Sequence, residues 1–200
     1  MKKLHIIASP RKERSKSKII WDYVFSKLDW EKEVLDLNSL EVPFLTEKVI
    51  AYGYWFGKYE ELSESDKKIV LIQNKFIEQL QNVDEIIVSV PLWNFWMPAI
   101  LKAYIDLIIK VWVTFKMWEN WFEWLLTNIK KLYLVWAKWW IYKSQPWESI
   151  DMLSATVKQA FNFVWVNNIK EFWLEWVNSL GEDEINKKIE QLKQEINSSL

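Results

Sequence analysis

The chain has 200 residues, with 26 basic and 27 acidic side chains and no cysteine. This balance gives no reason to expect nucleic acid or an anionic membrane surface as a partner, and the lack of cysteine excludes disulfides, thiolate catalysis and cysteine-ligated metals. The apolar runs are too short for a signal peptide or a membrane span, because charges interrupt even residues 97–113. We therefore expect one α/β domain over residues 1–200, located in the cytoplasm.

Apolar, β-branched runs alternate with amphipathic segments along the chain. This pattern predicts strands over residues 3–8, 33–37, 83–90, 130–135 and 168–172. It predicts one helix that ends near residue 27 and others over residues 65–82, 98–110, 149–163 and 182–197. Residues 38–65 form a long connection, either a binding loop or a surface excursion, and residues 111–127 look irregular. Strands that alternate with helices predict a parallel sheet, with a binding crevice between strands one and three.

A short polar and aromatic turn follows the third predicted strand. It consists of Leu92, Trp93, Asn94 and Phe95, and the next helix begins near Pro98. Loops at the carboxyl ends of parallel strands are where open α/β sheets bind ligands. We therefore predict that this turn forms the floor of a site for a flat aromatic ligand. The loop after the fourth strand, residues 136–142, is a second candidate.

The segment between the first strand and the first helix carries hydroxyls and a cation that suit an anion. Ser15 or Ser17 can cap the helix, and the free N–H groups of its first turn can bind a phosphate together with Ser9 and Lys16. The alternative is an ordinary helix cap with solvated charges. The segment matches neither a nucleotide P-loop nor a dinucleotide fingerprint, even if the nearby tryptophans are read as glycines.

The sequence contains no convincing acid–base dyad and no metal-ligand cluster. The one histidine, His5, lies in the first predicted strand without a cysteine or acidic partner at ligand spacing. We interpret it as a structural residue.

The chain has sixteen tryptophans and three glycines, whereas average usage predicts roughly fourteen glycines in a chain of this length. Several tryptophans follow turn signals or helix ends where glycine is expected, among them Trp30, Trp121, Trp139, Trp140 and Trp147. We hypothesise that many of these positions are glycine in the cell, because some bacterial lineages read UGA as glycine and others as tryptophan. The alternative is a truly tryptophan-rich protein with aromatic pockets or an aromatic interface.

The sequence resembles the FMN-dependent NADH:quinone oxidoreductases, or azoreductases, of the flavodoxin-like fold. The resemblance is strongest over residues 91–106, which begin Pro-Leu-Trp-Asn-Phe, and continues at residues 113–115 and 119–120. It implies a doubly wound parallel sheet of strand order 2-1-3-4-5 with helices on both faces. It also implies that Leu92, Trp93, Asn94 and Phe95 contact the flavin ring.

The resemblance assigns further residues to the cofactor. It implies that the phosphate is bound by a segment containing Ser9, Ser15, Lys16 and Ser17. The second flavin loop of the family is typically Ser-Arg-Gly-Gly, and the matching positions here are Ala137, Lys138, Trp139 and Trp140. Ala137 and Lys138 depart from that pattern, and two genuine indoles after them would fill space that the flavin needs.

The resemblance also implies the chemistry. NADH reduces bound FMN and leaves, and a quinone or azo compound then takes two electrons; Phe115 and Tyr52 are candidate surfaces for this acceptor. It further implies a homodimer and no catalytic side chain. The alternatives are a flavodoxin-like electron carrier, an NAD(P)H:flavin reductase, or a non-catalytic interaction protein that has lost FMN.

Overall fold

The computed structural model describes residues 1–11, 16–27, 31–119, 121–138, 140, 142, 144–146, 148–164, 166–175 and 180–199. The strands are β1 (Lys2–Ile7), β2 (Glu31–Asp36), β3 (Glu85–Pro91), β4 (Phe115–Met117), β5 (Phe122–Trp124), β6 (Lys131–Ala137) and β7 (Ile169–Leu174). The helices are α1 (Lys16–Lys27), α2 (Glu47–Gly53), α3 (Glu64–Gln81), α4 (Ala99–Ile108), α5 (Leu153–Phe163) and α6 (Glu182–Ser199). Within these residues, no helix combines the length and apolar character that crossing a membrane requires.

Five strands form one parallel sheet in the order β2-β1-β3-β6-β7. The register places Ile6 opposite both Leu35 and Val88, and Val88 opposite Leu134. Since β6 and β7 are the fourth and fifth strands of this sheet along the chain, the predicted order 2-1-3-4-5 is confirmed. Parallel neighbours require crossover connections, and helices supply them here.

Successive side chains of the central strands enter two separate cores, because a strand presents alternate residues to opposite faces. On β3, Ile86 and Val88 pack in the core that contains residues of α3, α4 and α5. Ile87, between them, packs in the core that contains residues of α1 and α6. Burial on both faces explains why β3 reads as a continuous apolar run rather than an alternating one.

Two connections contain secondary structure that the sequence pattern did not predict. The connection over residues 38–65 contains α2, and the region over residues 111–127 contains the antiparallel pair β4–β5. α2 has seven residues and the two strands have three each, so none is long enough to show a clear period.

A polar contact joins the starts of α2 and α3. Ser63 and Asp66 form a capping box, in which the Ser63 hydroxyl accepts from the Asp66 N–H at 3.1 Å. Thr46 caps α2 by accepting from the Val49 N–H at 3.3 Å, and its hydroxyl donates to Asp66 at 2.7 Å. Hydrogen bonds from Ser63 and Thr46 lower the pKa of Asp66. The start of α2, within the long connection, is therefore held against the amino-terminal end of α3.

Candidate functional site

The chain segments leaving β1, β3 and β6 meet at the carboxyl edge of the sheet. Backbone pairing continues past the strand ends, since the Ala8 N–H donates to the Ser89 carbonyl at 2.9 Å and the Leu92 N–H to the Ala137 carbonyl at 3.3 Å. These bonds align the first residues of the loops with one another. In the sheet, β1 has β2 on one side and β3 on the other, so the chain reverses its direction of strand addition between β1 and β3. Such a switch point is where open α/β sheets bind ligands.

The turn after β3 is a tight reversal closed from both sides. Trp93 and Trp96 exchange two backbone hydrogen bonds, each 2.9 Å long. The two residues between them have positive φ, 46° at Asn94 and 68° at Phe95, which is the pattern of a type I′ turn. Asn tolerates this conformation, whereas an aromatic residue there is uncommon and strained. The turn therefore holds its backbone in a defined shape against the edge of the sheet.

A cavity of about 440 Å³ lies beside this turn. Its lining residues come from three loops and are Arg11, Leu92, Trp93, Asn94, Phe95, Trp140 and Tyr142. The volume is within the roughly 300–1,000 Å³ that small-molecule and cofactor sites occupy. All four predicted turn residues and Trp140 thus come together around one cavity. Trp140 is one of the lining residues, and 53% of its surface is exposed.

Sequence reasoning did not assign Arg11 or Tyr142 to the site. Arg11 follows β1 within the segment predicted to bind phosphate, so its charge was a usable signal. Tyr142 is the last residue of the predicted second loop, residues 136–142, although no contact was assigned to it. Burial and the nearby carboxylate of Glu175 raise the pKa of Tyr142, so its phenol keeps its proton at neutral pH.

Of the other predicted cofactor residues that the structure describes, Ser9 and Ala137 do not line the cavity. Ser9 and Ala137 are buried at the ends of β1 and β6. Lys16 and Ser17 lie in the first turn of α1, and their side chains are outside the described residues. Ser15 and Trp139 also lie outside the described residues.

The two predicted substrate residues lie elsewhere. Phe115 is 4% exposed and packs in an aromatic cluster, with its ring centroid 5.0 Å from that of Phe163. Tyr52 is half-buried on α2, where its ring centroid lies 5.7 Å from that of Tyr59. Neither lines the cavity of 440 Å³. Phe115 therefore packs in the core, which is the other common role of an aromatic residue.

Lys138 is a buried cation beside the cavity. Its ammonium pairs with Asp151 and lies 3.7 Å from Glu175. It also lies 3.5 Å from the centroid of the Trp136 ring, within cation–π range. Burial lowers the pKa of Lys138 to about 8, although the charge of Glu175 acts in the opposite direction. The ammonium is therefore directed toward carboxylates on neighbouring segments.

His5 is buried on β1, facing α1. Its Nε2 lies 2.7 Å from the Ser89 hydroxyl, and its ring centroid lies 4.3 Å from that of Trp21. Burial lowers the pKa of His5 to about 3, so the ring is neutral near pH 7. No group of three or more metal-ligating side chains occurs among the residues that the structure describes.

A family model described as "Flavodoxin-like fold" matches residues 1–200. The chain belongs to this flavodoxin-like family. It is 32% identical over 206 aligned positions to the FMN-dependent NADH:quinone oxidoreductase of Hydrogenovibrio crunogenus, and the alignment covers 98% of each chain.

Solved structures agree with this membership. The azoreductase of Bacillus anthracis strain Sterne superposes with a TM-score of 0.84 at 25% identity, covering 99% of both chains. An FMN-dependent NADH-azoreductase of Bacillus anthracis Ames Ancestor, solved in complex with FMN, gives a TM-score of 0.85. Its 20% identity with this chain supports the shared fold alone.

Among the residues that the structure describes, two tryptophans of this flavodoxin-like chain have a left-handed backbone. The φ angle is 65° at Trp55 and 63° at Trp112, whereas none of the described glycines has a positive φ. A Cβ atom added at Gly53 or Gly181 would meet nothing within 4 Å, and one at Gly57 would have its nearest neighbour at 3.3 Å. Gly53 and Gly181 therefore occupy positions that other residues could take, while Trp55 and Trp112 occupy positions that favour glycine.

Proposed function

We propose that this protein is an FMN-dependent NADH:quinone oxidoreductase that also reduces azo compounds. The observation that carries the proposal is the cavity formed by the residue 92–95 turn and the loop after β6. It lies at the carboxyl edge of the sheet in a chain that aligns over 98% of its length with a relative named for this activity. The relative's name indicates FMN as the cofactor and NADH as the electron donor, and the cavity supports the proposal that they bind at this edge.

The residues around the cavity suit FMN. The aromatic side chains of Trp93, Phe95 and Trp140 offer apolar surface to a flat ring, and the backbone and amide of Asn94 offer hydrogen bonds to its polar edge. Arg11 offers a cation for the phosphate, next to the segment predicted to bind it. Bound FMN supplies the redox chemistry by accepting a hydride from NADH and passing two electrons to a quinone or azo compound.

The contribution of the chain is to bind and orient. The closed turn between Trp93 and Trp96 fixes the backbone beside the ring without further ordering on binding. Tyr52, which is half-buried, is proposed as an acceptor surface in a larger assembled site, and Phe115, which is 4% exposed, is proposed to support such a surface from within its aromatic cluster.

We further propose that the enzyme is cytoplasmic and acts as a homodimer. Exposed apolar side chains on and beside β4–β5 support a protein–protein contact there, since Met117, Trp118 and Trp121 are 48%, 47% and 60% exposed. Sedimentation of the purified protein tests this directly. A monomer at micromolar concentration would contradict the proposed dimer.

We also infer that Trp55 and Trp112 stand where the natural protein has glycine. A left-handed backbone costs a residue with a Cβ about 1–2 kcal/mol, so the two positions together cost about 2–4 kcal/mol. Their rings stack, with centroids 5.2 Å apart and planes at 11°, and an aromatic pair returns about 0.5–1.5 kcal/mol. The cost of the backbone strain exceeds the stabilisation from ring stacking. Peptide masses from the native protein test the inference, and tryptophan at these positions would refute it.

Titration with FMN, followed by steady-state kinetics, tests the proposed enzyme. We expect a perturbed flavin absorption spectrum at stoichiometric FMN, and NADH oxidation that accelerates when a benzoquinone is added. A rate of NADH oxidation that does not change when quinone is added would indicate a flavin reductase or an electron carrier. A folded protein that binds no FMN would indicate the non-catalytic alternative.

A further inference from the structure

Three segments around the cavity are linked through one buried ion pair. Lys138 follows β6 and pairs with Asp151, which lies just before α5. The next residue, Met152, donates its backbone N–H to the carbonyl of Phe95 at 3.1 Å. Phe95 is one of the two residues with positive φ in the turn after β3. A continuous path of polar contacts thus runs from the loop after β6 to the proposed flavin-contacting turn.

A second carboxylate holds the other end of the same loop. Glu175, just after β7, has an oxygen 3.7 Å from the Lys138 ammonium and accepts the backbone N–H of Tyr142 at 3.3 Å. The backbone N–H of Lys138 itself donates to the carbonyl of Leu174 at 2.9 Å. Lys138 therefore lies between two carboxylates: that of Glu175 contacts the backbone of Tyr142, and that of Asp151 belongs to the residue next to Met152, whose backbone contacts Phe95.

We propose that Lys138 is a positioning residue for FMN, which through Asp151 fixes the turn over residues 92–95 and through Glu175 fixes the backbone at Tyr142. This inference rests on the proposed function for its ligand. Lys138 contacts neither the cavity nor the flavin ring in this arrangement, so it acts through the backbone atoms that its partners hold. Its charge is the feature that matters, because a cationic donor at this position can satisfy both carboxylates and a neutral side chain cannot.

The competing explanation is that α5 alone fixes Met152. The Met152 carbonyl accepts the Thr156 N–H at 3.1 Å and the Thr156 hydroxyl at 2.6 Å, which anchors Met152 to the first turn of the helix. If this anchor sufficed, removing the charge at residue 138 would leave the Met152–Phe95 bond unchanged. The two explanations therefore differ in a measurable property of one amide.

The charge of Lys138 depends on pH within an accessible range. Burial lowers its pKa to about 8, and the groups around it are Asp151, Glu175, Glu171, Glu148 and Tyr142. Lys158 and Ser154 already engage the Glu171 carboxylate, each at 2.6 Å. The Tyr142 pKa is raised, so this phenol stays neutral up to pH 9. Lys138 is then the member of this cluster expected to change charge between pH 7 and pH 9.

The effect on folding has the opposite sign to the effect on binding. Because the folded-state pKa is lowered from 10.5 to about 8, the unfolded chain binds more protons between these values, and the free energy of unfolding rises with pH there. If only the charged form binds FMN well, affinity instead falls, toward a limit of about tenfold between pH 7 and pH 9. If Lys138 only stabilised the fold, FMN affinity would not fall while the free energy of unfolding rises with pH.

The first experiment measures FMN dissociation constants between pH 7 and pH 9 for the parent protein, Lys138→Arg and Lys138→Met, after unfolding curves establish that each variant folds. We expect the parent to lose affinity with rising pH. Lys138→Arg should bind FMN with a flat profile, because guanidinium stays protonated. Lys138→Met should bind weakly at every pH. Parent-like binding by Lys138→Met, or an equal pH-dependent loss in Lys138→Arg, would overturn the proposal.

The second experiment needs no flavin, so it remains decisive even if the parent binds none and the proposed enzyme fails. Amide hydrogen exchange is followed at Met152, with the Lys67 N–H, which donates to Ser63 at the start of α3, as an internal control. We expect faster exchange of the Met152 amide in Lys138→Met and parent-like exchange in Lys138→Arg. Unchanged exchange in Lys138→Met would show that α5 alone holds the segment, and would overturn the proposal.

Discussion

The indole of Trp55 stacks on that of Trp112, and both residues have a left-handed backbone. Trp55 lies two residues past the end of α2, and Trp112 lies between α4 and β4. Trp55 is largely exposed, with 72% of its surface accessible to solvent. The Trp55 ring therefore gains little from burial, while the backbone at both positions favours glycine.

Replacing both residues should not weaken the fold. We expect Trp55→Gly/Trp112→Gly to have a free energy of unfolding equal to the parent's or about 1–2 kcal/mol higher, because relief of backbone strain exceeds the lost stacking. Urea unfolding measures this. The control is Trp173→Gly in β7, where the indole packs 5.9 Å from that of Trp136, and a loss of about 1–3 kcal/mol is expected. Equal losses in both variants would contradict the inference.

Arg11 should select for the phosphate of FMN. We expect Arg11→Gln to weaken FMN binding about 10- to 100-fold, since a charge-assisted hydrogen bond contributes about 1.5–3 kcal/mol. Riboflavin has the same ring and no phosphate, so its affinity should change little. Fluorescence titrations with both flavins measure the difference. If riboflavin affinity fell as much as FMN affinity, Arg11 would contact the ring or support the fold instead.

Asn94 should be replaceable by glycine and not by valine. Its φ of 46° is accessible to glycine at no cost, whereas a β-branched residue is a strong outlier there. We expect Asn94→Val to lose about 1–3 kcal/mol of stability and to bind FMN poorly, while Asn94→Gly keeps the fold. Thermal unfolding and FMN titration of both variants test this expectation. Tolerance of valine would mean that the turn has another conformation in solution.

Acid should destabilise the protein through His5. Its pKa is about 3 in the folded state and roughly 6.5 in an unfolded chain, so its contribution is complete above pH 6.5 and is lost as the pH falls toward 3. At pH 5.5 the loss is about 1.4 kcal/mol. Urea unfolding at pH 7.5 and 5.5 measures it. His5→Gln, which cannot gain this proton, should lose that much less between the two pH values; an identical loss would refute the assignment.

The sequence predicted features that depend on neighbouring residues. The apolar run of β3 indicated a strand buried on both faces, and a polar turn directly after it marked the place where the cavity lies. Contacts between distant segments left no such signal. The pairing of Lys138 with Asp151 spans 13 residues, and the burial of Phe115 against Phe163 depends on how α5 packs beside β4–β5. Both follow from tertiary packing, which residue spacing does not encode.

The ends of the parallel sheet limit how a second copy of this chain can associate with it. The outer strand β2 begins with Glu31 and Lys32, both exposed, and the opposite outer strand β7 carries Lys170 and Glu171. Charged side chains on a border strand disfavour backbone pairing with another molecule, since pairing would force them from water. The five-stranded sheet is thus protected from being lengthened by a neighbour, which leaves the helices, the loops and the β4–β5 pair as surfaces for subunit association.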